Sequence, residues 1–256
     1  MKILMYHLVQ DLPGPMAVPP GHFRAQMELL SRGPYTPTTE DDLHTAHGRG
    51  APLPDHAVLL TFDDGYANTV TTALPVLEQF GLPAVMAVCG GYLTADRPRH
   101  VPHPVQETAD LSQVQAWTAS GRTVAAHSYT HRRLTGCTPQ ELAWQTAGDH
   151  EALTELLGRA PRTFAYPYGA YDPRVQRVVA GLYPLALATD EHHQPDLRHP
   201  YALSRIQVDP TWSIDAFRTA LDSTAGPAAA QRAARAADAA DAADALLGGT
   251  PKESRR

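Results

Sequence analysis

The chain has 256 residues, 43% hydrophobic and 19% charged, enough for one large α/β domain with an ordinary core. A net charge of −6 gives no electrostatic reason to expect nucleic acid or an anionic membrane as a partner, and neither standard Gly-rich phosphate loop is present. The two cysteines, Cys89 and Cys137, lack CxxC spacing, which excludes a cysteine-built zinc centre and leaves two unlinked thiols as the expected state.

In chain order, the first predicted element is a short strand over 2–6 that ends on His7. It lacks the longer apolar run and small-residue cleavage site of a secretion signal, so the N-terminus as it stands predicts a cytoplasmic protein, or a secreted one if a leader has been lost. No apolar stretch approaches transmembrane length. A helix is predicted over 23–31, then a strand over 57–62 that runs straight into Asp63, Asp64, Gly65 and Tyr66. A helix over 68–80, stopped by Gly81, precedes a strand over 84–88. Residues 95–110 are rich in proline and polar side chains and read as an insertion bordering a substrate groove.

The next helix, over 112–119, opens on a capping pattern of Ser112 and Gln115. A strand over 123–126 then delivers His127 and, four positions on, His131. Thr138-Pro139-Gln140-Glu141 is a capping box with proline at the first helical position, opening a helix over 139–157 that Gly158 stops. The strand over 163–166 leads into Pro167-Tyr168-Gly169, and Asp172-Pro173 starts a helix over 173–180. Strands over 185–189 and 204–208 and a helix over 214–221 complete the pattern. Residues 225–256 are alanine-rich with almost no large apolar side chains, so a loose helix or disorder is expected there, beside a catalytic domain over 1–224.

Alternating strands and helices predict an α/β fold, a mostly parallel sheet with helices outside it. In such folds functional groups gather at the carboxyl ends of strands. His7, the Asp63–Asp64 pair, His127 and the Tyr166–Gly169 segment each follow a predicted strand. One carboxylate with two imidazoles can hold a cation while the second carboxylate handles protons. Blander readings stand beside this one. Asp63-Asp64-Gly65 also suits a turn with a capping acid, and His127 and His131 suit solvated loop residues. His7 suits a satisfied strand-end histidine, and Arg205 suits a structural ion pair. His22, His44, His47, His56, His100, His103, His192 and His193 read as surface or loop residues, and Trp117 and Trp144 as packing residues of their helices.

Thr61-Phe62-Asp63-Asp64-Gly65-Tyr66, His127-Ser128-Tyr129-Thr130-His131 and Phe164-Ala165-Tyr166-Pro167-Tyr168-Gly169 resemble the first three motifs of the polysaccharide deacetylases. These are the NodB-homology enzymes of carbohydrate esterase family 4. The likeness in order and spacing runs from about His7 to about Val208. It implies a distorted (β/α) barrel of seven strands, of NodB-homology type, and metal-dependent removal of acetyl groups from amino sugars. Carried over position by position, Asp64, His127 and His131 would bind the metal and Asp63 would be the general base. The backbone N–H of Tyr168 would hold the oxyanion.

Two departures from the family pattern matter. The arginine that orients the base in the third motif is missing from Phe164-Ala165-Tyr166, and Arg205 is the expected replacement. The late Leu-x-His has its letters in Leu197-Arg198-His199, but in a polar, proline-flanked loop. His7, at the end of an apolar strand, has the right physical form. This is similar to the circularly permuted branch of the family, the poly-N-acetylglucosamine deacetylases, and makes His7 the expected proton donor to the leaving amine. An imidazole near its ordinary pKa is expected there.

The implied cofactor is a divalent metal ion, zinc first, although an Asp-His-His set also accepts cobalt, nickel or iron. The implied partner is an N-acetylated glycan or an amino-sugar precursor; oligomeric state is left open. Three alternatives remain: an O-acetyl esterase on glycans, a metal-independent cyclic amide hydrolase of the same fold, and a non-catalytic glycan-binding module. Presence of all three ligands argues against the second, and presence of Asp63 against the third.

Overall fold

The computed structural model describes residues 1–14, 16–94, 107–189 and 195–224, with isolated positions between 229 and 236. It begins with β1 (Lys2–Tyr6) and a small parallel pair, β2 (Leu8–Val9) and β3 (Ala17–Val18), followed by α1 (Pro20–Arg32), β4 (Thr36–Pro37) and α2 (Glu40–Arg49). Next come β5 (Ala57–Phe62), a π-helical turn at Thr69–Ala73 leading into α3 (Leu74–Gln79), β6 (Val85–Val88), α4 (Gly90–Leu93), α5 (Leu111–Ala119) and β7 (Thr123–Ala126). Helices α6 (Pro139–Ala143) and α7 (Asp149–Leu157) are joined by a second π-helical turn at Trp144–Gly148. The chain continues through β8 (Thr163–Ala165), α8 (Pro173–Ala180), β9 (Leu185–Leu187), β10 (Ile206–Gln207) and α9 (Ile214–Asp222).

Strand pairing runs β10-β1-β5-β6-β7-β8-β9, parallel throughout, with β4 added beside β5. This is the predicted seven-stranded (β/α) barrel. Its seam is made by residues 203–207: Leu203 bridges Leu187, and β10 pairs with β1. That change of partner explains why the strand predicted over 204–208 keeps its ladder only at Ile206–Gln207.

Alternation along the strands sorts the core. Ile3, Leu59, Val85, Ala87, Ala125, Ala165 and Leu185 turn into the barrel, while Leu4, Leu60, Met86, Val124, Phe164 and Ala186 meet the helices outside. Leu43 of α2 joins the inner cluster and plugs the barrel's amino-terminal mouth. Register then decides where the chemistry goes. Tyr6 pairs with Phe62, Val88 with Ala126 and Ala126 with Phe164. The strands therefore end nearly flush, which brings His7, Asp63 and His127 to one rim.

Several expectations are corrected. Helix α2 and strands β2, β3 and β4 were not predicted; α2 carries few apolar residues and buries Glu40 and His44 along with Leu43. His44 is therefore a core residue, not a surface one. The capping box of α5 uses Asp110 and Gln113 instead of Ser112 and Gln115. Trp117 is buried as expected, but Trp144 is 52% exposed. Cys89 and Cys137 are buried free thiols. Most of the predicted 95–110 insertion, nearly all of the alanine-rich tail, and His100, His103, His192 and His193 lie outside the described residues.

Candidate active site

Three segments that follow β5, β7 and β8 build the site, and each bends sharply to do so. Among the described residues, five non-glycines have positive φ, and four of them are Asp64, Ser128, His131 and Tyr168. Such backbone persists only where its surroundings fix it, and it clusters at functional sites. Two glycines in these turns have no substitute. Gly65 has φ +61°, and a Cβ would lie 2.9 Å from Val88 Cγ1. Gly169 has φ +62°, and its Cβ would overlap the Thr189 hydroxyl.

Asp64 Oδ1 lies 3.3 Å from His127 Nε2 and 3.0 Å from His131 Nε2, and all three residues are buried. The hydrogen bonding around His127 shows what this cluster needs. Its Nδ1–H donates to the Ala165 carbonyl at 2.7 Å, which fixes the tautomer and leaves Nε2 a lone pair in the neutral ring. That lone pair faces Asp64 Oδ1, a buried acceptor with no hydrogen-bond donor. Buried acceptors pointed at one another are unfavourable unless a proton or a cation lies between them. The donor set therefore fits a divalent metal, with two imidazoles and one carboxylate as ligands. Burial disfavours charge on His127, but the adjacent Asp64 and Asp63 carboxylates outweigh it and raise the pKa. Burial also works against ionised Asp64, yet His127 and His131 beside it hold its pKa well below the ordinary range.

Asp63 is gripped from the barrel seam. Arg205 Nη1 donates to Asp63 Oδ1 and Nη2 to Oδ2, both at 2.7 Å, while Nε donates to the Ala188 carbonyl. The pair is buried on both sides. Desolvation alone would raise the Asp63 pKa; the guanidinium, together with His127 and His7, more than offsets this and lowers it. Asp63 is thus ionised at neutral pH, and each carboxylate oxygen keeps a second lone pair for a proton.

His7 faces the same cavity. Burial lowers its pKa more than Asp64 and Asp63 raise it, and Arg205 and His127 lower it further. The expectation of an ordinary pKa is therefore corrected: the resting imidazole is neutral at pH 7. Tyr168 sits in a turn whose own hydrogen bonds come from the Gly169 and Ala170 amides. Its ring is half exposed, edge-on to His131 at 4.7 Å and under the Arg133 guanidinium at 4.7 Å.

The cavity has a volume of about 290 Å³ and is lined by His7, Asp63, Asp64, His127, His131 and Tyr168, the small end of the range for ligand pockets. Sequence reasoning missed its other walls, Met5, Met16, Thr189 and Gln207; only Met5 and Gln207, on strands that end at this rim, carried a positional signal. It also gave Tyr66 no role, although burial and the neighbouring Asp64 charge push the pKa of its phenol up.

Residues 50–183 match the family model for polysaccharide deacetylase, and the chain belongs to that family. YxkH of Bacillus subtilis, a protein named for the same family, is 25% identical over 224 residues, 87% of this chain and 76% of its own length. The poly-β-1,6-N-acetyl-D-glucosamine N-deacetylase of Escherichia coli K12 is 35% identical over 101 residues. That match covers 38% of this chain and 15% of the relative, so most of the Escherichia coli protein has no counterpart here. Among solved structures, the Streptococcus pyogenes deacetylase PplD in complex with acetate superposes with a TM-score of 0.76 at 21% identity, covering 87% of this chain and 98% of that one. At that identity the likeness is one of fold.

Proposed function

We propose that this chain is a metal-dependent deacetylase of N-acetylated amino sugars in a glycan, releasing acetate and a free amine. The observation that carries this reading is the convergence of Asp64, His127 and His131 on one buried point with ionised Asp63 alongside. Zinc is the proposed metal, since two imidazoles and a carboxylate leave a catalytic zinc its open positions. A divalent cation held by these ligands would polarise the acetamide carbonyl and acidify an attacking water.

The protein's own groups supply the remaining steps. Asp63 accepts the proton of the water whose oxygen bonds to the acetyl carbon. Arg205 keeps that carboxylate ionised and aimed. The Tyr168 amide donates to the oxyanion that develops on the carbonyl oxygen, a contribution of roughly 2.7–4 kcal/mol to the barrier for donors of this kind. As the C–N bond breaks, the departing nitrogen takes a proton from His7. Because His7 rests neutral, it must take up a proton before it can act as this donor. A glycan substrate is in keeping with those for which the relatives are named.

The test is metal analysis together with acetate release by the wild type and Asp63→Asn. Retained metal with activity reduced by about 10²–10⁴-fold, the usual contribution of a general base, is the expected result. Full activity in Asp63→Asn would assign the base elsewhere. Comparing acetylated xylan with chitooligosaccharides decides between ester and amide substrates, and the amide is expected to win.

A further inference from the structure

His127 and His131 stand at the two ends of a short loop, and that loop is held from outside. Ser128 and His131 have φ of 63° and 55°, a left-handed backbone that non-glycine residues keep only when neighbours fix it. The Gly91 amide and the Tyr92 hydroxyl hold the Tyr129 and Thr130 carbonyls, and Gln145 holds the donor side of the same two residues. Its backbone carbonyl accepts the Tyr129 amide at 3.0 Å, its Oε1 accepts the Thr130 amide at 3.0 Å, and its Nε2 donates to Thr130 Oγ1 at 2.8 Å. Gln145 is buried, so water does not compete for these bonds.

The local helix is shaped for this grip. Gln145 belongs to the π-helical turn at Trp144–Gly148, and such insertions recur at functional sites. In a regular α-helix the Gln145 carbonyl would serve the Asp149 amide. Here that amide bonds the Thr146 carbonyl, and the Gln145 carbonyl turns to the loop. One residue thus contributes three hydrogen bonds to two of the three positions between the imidazoles, with none to either imidazole itself.

We propose that Gln145 is a positioning residue for the cation site: it locks the 128–131 loop so that His127 and His131 present their Nε2 atoms to Asp64 in one fixed arrangement. The inference rests on the metal reading above. Removal of groups that orient metal ligands typically weakens binding about 10–100-fold.

The experiment is a chelator-competition titration with zinc on wild type, Gln145→Leu, Gln145→Asn and Gln145→Glu, with amide hydrogen exchange on the metal-free proteins. Gln145→Leu removes the two side-chain bonds to Thr130 and leaves the backbone bond to Tyr129, and Gln145→Asn shortens the side chain by one methylene while staying polar enough to fold. Both are expected to bind zinc about 10–100-fold more weakly, with faster exchange at Thr130 and a metal-free protein that still unfolds cooperatively at a modestly lower temperature. Gln145→Glu keeps an acceptor for the Thr130 amide and is expected to restore affinity to within about threefold of wild type. Wild-type affinity and exchange in Gln145→Asn, or in Gln145→Leu, would overturn the proposal. A wild-type protein that takes up no zinc would instead sink the metal reading, a result visible before any variant is compared.

Discussion

Each mouth of the barrel buries a carboxylate next to a histidine, yet only one of the two clusters satisfies itself. At the amino-terminal mouth the Thr163 hydroxyl donates to Glu40 Oε1 at 2.5 Å, and His44 Nε2 lies 3.0 Å from the same hydroxyl oxygen. Carboxylate, hydroxyl and imidazole form a closed chain in which the hydroxyl both gives and receives. Burial would raise the Glu40 pKa, but His44, 3.5 Å from Oε1, and the Thr163 hydroxyl outweigh it and hold the group below its ordinary value. At the carboxyl-terminal mouth no hydroxyl among the described residues stands between Asp64 and the imidazoles, and the Nδ1 proton of His127 is committed to Ala165. Burial is alike at both ends. What separates a structural plug from the proposed cation site is the supply of donors.

Ligand removal should open the widest gap between the two ends. Asp64→Ala is expected to lose zinc and to lower kcat/KM for acetate release by about 10³-fold or more, equivalent to several kcal/mol of lost Lewis-acid stabilisation. Glu40→Gln, at the opposite mouth, should leave kcat/KM where it was. Activity surviving in Asp64→Ala would erase the contrast. Next in size is Arg205→Met, which strands Asp63 without its partner. Breaking a buried pair from one side costs about 3–5 kcal/mol of stability, readable by denaturant melting. Loss of the guanidinium also lets burial raise the Asp63 pKa, so the acidic limb of the pH–rate profile should move to higher pH.

Much of the carboxyl-terminal mouth was legible in the sequence because its groups follow apolar strands directly. Asp63 and His127 sit one step beyond β5 and β7, and the β/α alternation places such steps at one rim. Arg205 was legible for a different reason: a cation was missing from the third motif, and the last strand offered one. The opposite mouth was not legible. Helix α2 shows Leu43 as its one large apolar residue among acids and histidines, and its burial depends on pairing with Thr163, 119 residues away in sequence from His44. Periodicity registers apolar faces and is blind to a polar face that finds partners across the fold. The same blindness hid Gln145 and exposed the error over Trp144: the π-helical turn shifts the helix face just where the regular spacing predicted packing.

Asp149 offers a sharper test of donor supply, because it is buried between the two kinds of cluster in behaviour. Its Oδ1 accepts the Gly90 amide at 2.6 Å, while Oδ2 has no partner. Burial raises its pKa from 3.8 to about 7, and the Gly90 and His127 backbone bonds offset only part of that. The folded chain therefore holds a proton that the unfolded chain has released, from about pH 4 up to about pH 7. Stability contributed by this group is full below pH 4 and declines as pH rises to 7, on the order of 4 kcal/mol in all. Asp149→Asn keeps the acceptor for Gly90 and removes the titration. Its stability relative to wild type should rise across that window and level off above it, measured by denaturant unfolding at pH 4 through 8. A flat difference would mean that Asp149 is ionised in the folded protein.

The smallest expected effect belongs to Thr163→Val, and it bears most directly on the contrast between the mouths. The substitution keeps the shape of the side chain and deletes the one hydroxyl that links Glu40 to His44, leaving buried polar groups short of a partner at a cost of about 1–3 kcal/mol. Glu40, with its pKa held below the ordinary 4.5 in the folded state, contributes stability that is present above that value and lost as pH falls through the folded pKa. Without the hydroxyl donor the folded pKa climbs, so acid unfolding of Thr163→Val should begin at higher pH than in wild type. Zinc affinity and kcat/KM at pH 7 should not move, since the mutated mouth lies at the opposite end of β7 and β8 from the ligands. Should zinc affinity fall along with stability, the closed hydrogen-bond chain at the plug would be part of what shapes the ligand site, and the two mouths could no longer be treated as separate solutions to the burial of charge.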